Sequence, residues 1–194
     1  MPRTPIHRRH CLQTLLALGA APLAFGNGAS AQALAPPELR TLPTPWGQAR
    51  QLGTTKLRFF GLPIYDAALW ALPGFDAARY ATMPFALELR YLRNLSGAAI
   101  AQRSLDEMRR GGELAPATET QWLSAMRGAF PDVQQGERIT GVNLPQQGVR
   151  FYVNGQAKAD VNDPAFGERF FGIWLALWTS EPAMRSELLQ GLAP

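Results

Sequence analysis

The sequence holds one cysteine, Cys11, and two histidines, His7 and His10, and all three lie within its first eleven residues. From Leu12 to Pro194 there is no thiol and no imidazole. That rules out, for the rest of the chain, Cys–His and Ser–His–Asp catalysis, zinc sites built on cysteine or histidine, haem held by histidine, and any disulfide. No glycine-rich phosphate loop and no spacing of metal ligands takes their place, so neither a metal nor a cofactor is expected. Lysine is scarce as well. Lys56 and Lys158 are the only two, and every other cation is arginine, for which a codon bias towards arginine and alanine is the simple cause.

What is present begins with a leader. A basic start, MPRTPIHRRH (1–10), precedes an apolar run, CLQTLLALGAAPLAF (11–25), and then the small residues GASAQA (28–33). This order reads as a signal peptide over residues 1–33, with cleavage expected after Ala31 or Ala33. The run is shorter than the roughly 20 apolar residues that cross a bilayer, and it contains Pro22. No transmembrane segment is therefore expected in the mature chain. Arg8-Arg9 resembles a twin-arginine export signal, but Cys11-Leu12 stands where Phe-Leu is usual, so the general secretory route stays open. Either route uses export machinery as a partner and places the mature protein in a bacterial periplasm or outside the cell. Removing Arg3, Arg8 and Arg9 leaves 16 basic against 15 acidic residues. Most of the formal charge of +4 belongs to the leader, about +1 remains, and no nucleic-acid partner is expected.

Residues 34–49 carry the proline-rich stretch LAPPELRTLPTP and read as an extended lead-in to a single domain over 50–194. Candidate strands are 56–60, 64–72 and 85–92; the last alternates Phe85, Leu87, Leu89 and Tyr91 against Ala86, Glu88 and Arg90. Two helices follow, about 97–110 and 116–130, the first opened by Ser96 and closed by Gly111-Gly112. Strands resume at 137–144, 149–153 and 156–161, with Asn154-Gly155 marking a type I′ hairpin because both central positions need positive φ. A helix over 163–178 places Phe166, Phe170, Ile173, Trp174 and Leu177 on one stripe and Phe171, Leu175 and Trp178 on another, so it should be buried on the sheet. A short helix spans 182–191. The sum is an α+β domain, a mostly antiparallel sheet with helices packed on one face.

Five segments in this order resemble the chalcone isomerase-like family: LRFFGLPIYDAALWAL (57–72), LELRYLRNLS (87–96), GERIT (136–140), VRFYVNG (149–155) and FGERFFGIWLALWTSEPAMRSELLQGL (166–192). Ala176 stands where the family's tail usually has glycine. The resemblance implies an open-faced β-sandwich with a ligand cleft between sheet and helices. Family members include plant enzymes that close chalcones to flavanones, plastid proteins that bind fatty acids, and bacterial members without an established activity.

The candidate site is the hairpin KLRFFGLPIYDAALW (56–70). A II′ turn at Gly61-Leu62 would set Arg58 directly across from Tyr65, where a guanidinium fork and a phenol could grip one carboxylate. The resemblance implies the same pair: Arg58 falls where the family carries its cleft arginine, and Tyr65 near a position that is tyrosine in the fatty-acid binders. A structural role for both, with Arg58 in solvent or paired to Asp66 or Glu88, is the competing reading. In the enzymes the helix matching 97–110 supplies a tyrosine, a lysine and an asparagine, and a late threonine maps near Met184; GAAIAQRSLDEMRR has none of the three, and Ser104, Arg103 and Arg109 could replace some of the polarity but not the same geometry. The expectation is a non-catalytic binder of a small apolar carboxylate. An intramolecular lyase or an envelope structural protein are the alternatives. Asp106-Glu107 and Asp160/Asp163 read as solvated carboxylates, and the Trp122/Met126 and Trp174/Trp178 sets as core.

Overall fold

The computed structural model of the chain describes residues 35–43 and 45–192; the signal peptide expected over 1–33 lies outside them. Six strands form one antiparallel sheet in sequence order: β1 (Arg50–Phe59), β2 (Leu62–Ala71), β3 (Phe85–Tyr91), β4 (Arg138–Leu144), β5 (Gly148–Val153) and β6 (Gln156–Val161). Each strand pairs with its neighbour in the chain, so the connections are hairpins except after β3. There the chain leaves the sheet to build helices α2 (Gly97–Met108) and α3 (Pro116–Ala129) before returning as β4. Helices α4 (Pro164–Leu175) and α5 (Pro182–Leu188) follow β6.

Alternation along the strands sorts the side chains into two layers. Phe85, Leu87, Leu89 and Tyr91 of β3 join Ala67, Leu69 and Ala71 of β2 and Phe151 of β5 in the core that the helices cover. From α4 come Phe166, Phe170, Phe171 and Trp174. The Phe166 and Phe170 rings stack, and Phe170 stands edge-on to Phe151 and Trp174. Trp122 and Met126 of α3 are core residues here. Leu177, expected on the same stripe, is exposed because α4 ends at Leu175.

Asp163 explains where α4 begins. One carboxylate oxygen accepts from the backbone N–H groups of Ala165 and Phe166, and the other accepts from Trp122 Nε1 at 2.8 Å. It caps one helix and ties it to another. Asp160 is paired with Arg150 across the β5–β6 hairpin.

The lead-in is not extended. Residues Pro37–Thr41 form a short helix, α1, and Trp46–Gln48 a single helical turn. Leu39 and Trp46 are buried against Trp70, Ala86, Val142 and Tyr152 on the sheet face opposite the long helices. Proline at the first position of α1 suits a helix start, where its missing N–H is no loss. Glu38 is buried beside it and accepts a hydrogen bond from Thr140 Oγ1 at 2.5 Å.

Candidate functional site

The β1–β2 hairpin turns one residue earlier than the sequence suggests. Phe59 pairs with Leu62 and Arg58 with Pro63, so the turn residues are Phe60 and Gly61, with φ of 48° and 78°. Both values are positive, the signature of a I′ turn rather than II′. A register shift after Leu57 leaves Ile64 unpaired with β1, and from there Leu57 faces Tyr65 and Lys56 faces Asp66. Arg58 and Tyr65 are therefore not cross-strand partners. The physical reason is the rule that a one-residue slip exchanges the faces of a strand. The expected register would have set Lys56 against the fully buried Ala67. The observed one gives Leu57 and Tyr65 to the core and joins Lys56 and Arg90 to Asp66 at 3.0 and 2.8 Å.

Arg58 is exposed, its Nη1 donating only to the Gly61 carbonyl at 3.4 Å. Tyr65 turns inward. It lines a cavity of about 260 Å³ between the sheet, α2 and α4. Leu89, Ile139, Phe130, Phe170 and Ile173 make most of the wall apolar. The polar groups in the wall are Tyr65 and Tyr91, from β2 and β3, and Arg103, Ser104 and Glu107, from α2. Arg58 is not among the lining residues.

On α2 the spacing does the positioning. Ile100, Arg103, Ser104 and Glu107 recur at three and four residues, so they share the face turned to the cavity. Glu107 is only 7% exposed. Arg103 Nη2 holds one of its oxygens, Arg110 Nε stands 3.7 Å from the other, and that second oxygen has no hydrogen-bond partner. Reading Asp106-Glu107 as a solvated pair is thus half right: Asp106 bonds Arg109 and Gln102 at the surface, whereas Glu107 is an inward carboxylate.

Two phenols line the same cavity. Tyr65 Oη accepts from Trp174 Nε1 at 3.0 Å, which leaves its own proton available to a ligand. Burial pushes the Tyr65 phenol well above its ordinary value, the Trp174 bond draws it back by less, and Glu181 and Glu107 add to the rise. Tyr91 lies edge-on to Tyr65 with ring centres 6.1 Å apart, and burial pushes its phenol up as well. Both are neutral hydrogen-bond donors at any physiological pH. The cavity can take an apolar body and offer it two phenols, a guanidinium, a hydroxyl and a carboxylate in its wall. Among the described residues no group of three or more His, Cys, Asp and Glu side chains is placed to hold a metal, and no helix is long and apolar enough to cross a membrane.

Arg103 and Ser104, which the sequence offers as polarity on the cleft helix, do line the cavity and Arg109 does not, while Tyr91 and Glu107 escape a reading of the sequence for different reasons. Tyr91 alternates as one more core aromatic, and only the neighbouring void makes its hydroxyl a contact. Glu107 reads as a surface carboxylate, and the clue to its orientation is that Ile100 shares its face; Arg103, its i, i+4 partner, keeps its side chain 65% exposed while lining the cavity.

Comparison with known proteins agrees with this architecture. No curated protein matches the chain. Among 37 matching solved chains is a fatty-acid binding protein of Arabidopsis thaliana, superposing with a TM-score of 0.57 over 74% of this chain and 87% of its own, at 11% identity. That degree of identity speaks for the fold alone. The family model described as chalcone isomerase-like matches residues 58–190, well over half of the sequence, and the chain belongs to the chalcone isomerase-like family.

Proposed function

We propose that the chain is an exported binding protein that holds an apolar ligand with one acidic head group, of the fatty-acid class, in the cavity between sheet and helices. The observation that carries this is the division of the cavity wall. Apolar side chains line most of it, and a few hydrogen-bonding groups from β2, β3 and α2 interrupt them, the composition that fixes the orientation of a ligand with one polar end. The volume of about 260 Å³ sits just below the range of about 300–1,000 Å³ for drug-sized ligands, which favours a slim molecule. The plant fatty-acid binding protein of the same fold supports the ligand class. The leader pattern of residues 1–33 supports export to the periplasm or beyond.

In this reading Tyr65 and Tyr91 donate to the head group and Arg103 supplies the cation from α2, the part first looked for in Arg58. Arg103 carries five N–H donors, so it can bridge Glu107 and a ligand carboxylate together.

The test is solvent extraction of the purified protein with mass spectrometry of what comes off, followed by titration with a fatty acid. An acyl acid should be recovered. Arg103→Ala should weaken binding by about 10- to 100-fold, the worth of a charge-assisted hydrogen bond of about 1.5–3 kcal/mol, and Arg58→Ala should leave it unchanged. A wild-type protein that neither carries nor takes up an acyl acid would overturn the reading.

One observation favours a second reading. Glu107, a buried carboxylate in the wall of an apolar cavity, is a candidate proton acceptor. It would serve an intramolecular ring closure of the chalcone type, or on another substrate. Loss of chalcone absorbance at no more than the background rate removes the plant reaction.

A further inference from the structure

The tip of the β1–β2 hairpin breaks two local rules at once. Phe59, Phe60 and Leu62 are 55%, 91% and 53% exposed, three large apolar side chains within four residues. Phe60 also takes the left-handed conformation, with φ of 48°, which a bulky aromatic adopts only under strain. The same sheet holds a control. The β5–β6 turn has nearly the same geometry, φ of 50° and 86°, and fills it with Asn154-Gly155, the pair such a turn prefers. Stability therefore does not account for Phe60, and a rule broken without a packing gain points to function.

The two chain segments that form the tip and its flank carry charge of one sign. Arg58 sits on one flank. The Leu92 N–H donates to the Ile64 carbonyl at 2.9 Å, which brings the chain just beyond β3, with exposed Arg93, alongside the other flank. Neither arginine is in an ion pair among the described residues. No acidic residue occurs in 57–65 or in 91–96.

We infer that this tip is a membrane-docking element: Phe59, Phe60 and Leu62 enter the interface of an anionic bilayer while Arg58 and Arg93 meet lipid phosphates. Aromatic and aliphatic side chains ringed by cations are the composition of interfacial anchors. A protein partner fits the shape less well. A stable protein interface covers about 800 Å² on each side, which a two-residue turn and its flanks cannot supply, whereas a bilayer needs no complementary surface. Docking would also bring the cavity close to the lipid, because Tyr65 and Leu95, three residues from Leu62 and two from Arg93, both line it. The docking inference stands without the cavity reading, since it rests on the outer surface of the hairpin.

The experiment is co-sedimentation of the purified protein, in the form in which it accumulates in the cell, with vesicles of phosphatidylethanolamine and phosphatidylglycerol. Vesicles of phosphatidylcholine are the neutral comparison. Wild type should sediment with the anionic vesicles, less so with the neutral ones and less so in high salt. Phe60→Asn, which gives this turn the residues of its counterpart, should melt no lower than wild type and yet bind about tenfold or more weakly, the loss expected for one buried phenylalanine. Arg58→Ala with Arg93→Ala should remove the preference for anionic lipid. Wild type that stays in the supernatant, or Phe60→Asn that sediments as well as wild type, overturns the inference. So does a concentration-dependent dimer abolished by Phe60→Asn in a protein that ignores vesicles, which would make the tip a self-association surface.

Discussion

A carboxylate 7% exposed, with one oxygen on Arg103 and the other unbonded, carries a desolvation cost that a glutamine of the same shape would largely avoid. Glu107 is also a poor neighbour for an acidic ligand, because it holds the guanidinium the ligand needs and repels its charge. Glu107→Gln should therefore tighten fatty-acid binding, by about tenfold if one like-charge contact of about 1.4 kcal/mol is relieved. Isothermal titration of wild type and variant with the same acid checks this. Weaker binding by the variant would mean that Glu107 accepts a proton from the ligand, and the head group would then be a donor rather than a carboxylate. Tyr65 lines the same cavity. Its phenol satisfies the Trp174 indole and still has a proton to give, so one side chain serves both the core and the ligand. The alternation of β2 and β3 made Tyr65 and Tyr91 legible as inward residues, but no pattern in the sequence says that a void lies beside them.

At the scale of elements, the hairpins show what a sequence can and cannot specify. Asn154-Gly155 is read correctly because those two residues tolerate positive φ better than any others. Phe60-Gly61 is misread for the same reason: the rule assigns the first strained position to glycine, and here phenylalanine occupies it. One residue of error then moves Arg58 to the face of Tyr65 and Lys56 into the core. The start of β1 is hidden for another reason. Arg50–Thr55 has no alternation to find, and Gly53 lies where the backbone of Glu187 and Leu188 comes too close for a Cβ.

The correct register creates an ion network across three strands, Lys56–Asp66–Arg90, on the face away from the cavity. Burial alone would raise the Asp66 carboxyl, but hydrogen bonds and charge from Arg90 and Lys56 outweigh it and hold the group below the ordinary aspartate value of 3.8. A depressed folded value means that the contribution is complete above 3.8 and is lost as the pH falls through the lower, folded value. The group is partly solvated, so its worth is at most about 1 kcal/mol. Urea unfolding on either side of that pH should show wild type losing more stability towards acid than Asp66→Asn does. Parallel acid limbs for the two proteins would mean the network contributes nothing.

The whole molecule poses a problem that its family match does not cover. An antiparallel sheet has two faces, and helices α2 to α5 occupy only one of them. Trp70, Ala86, Val142 and Tyr152 on the other face would meet water if the lead-in were the extended segment its prolines suggest. Leu39 and Trp46 lie over them instead, with Glu38 bonded to Thr140 of β4, although these residues precede the matched span of 58–190. Helical propensity does not reveal this, because α1 is a five-residue turn that packing holds in place. If the lead-in is part of the cooperative unit, Leu39→Ala should lower the stability of the entire domain by about 2–5 kcal/mol, the usual result of emptying a buried leucine site. Far-ultraviolet circular dichroism in urea would show one transition moved to lower denaturant with an unchanged slope. Ligand binding in the folded variant should stay at the wild-type level, because Leu39 packs on the face opposite Tyr65, Tyr91 and the cavity. An unmoved transition, with proteolysis now cutting near Leu39, would make the lead-in a loosely held strap and leave the second face of the sheet stable without it.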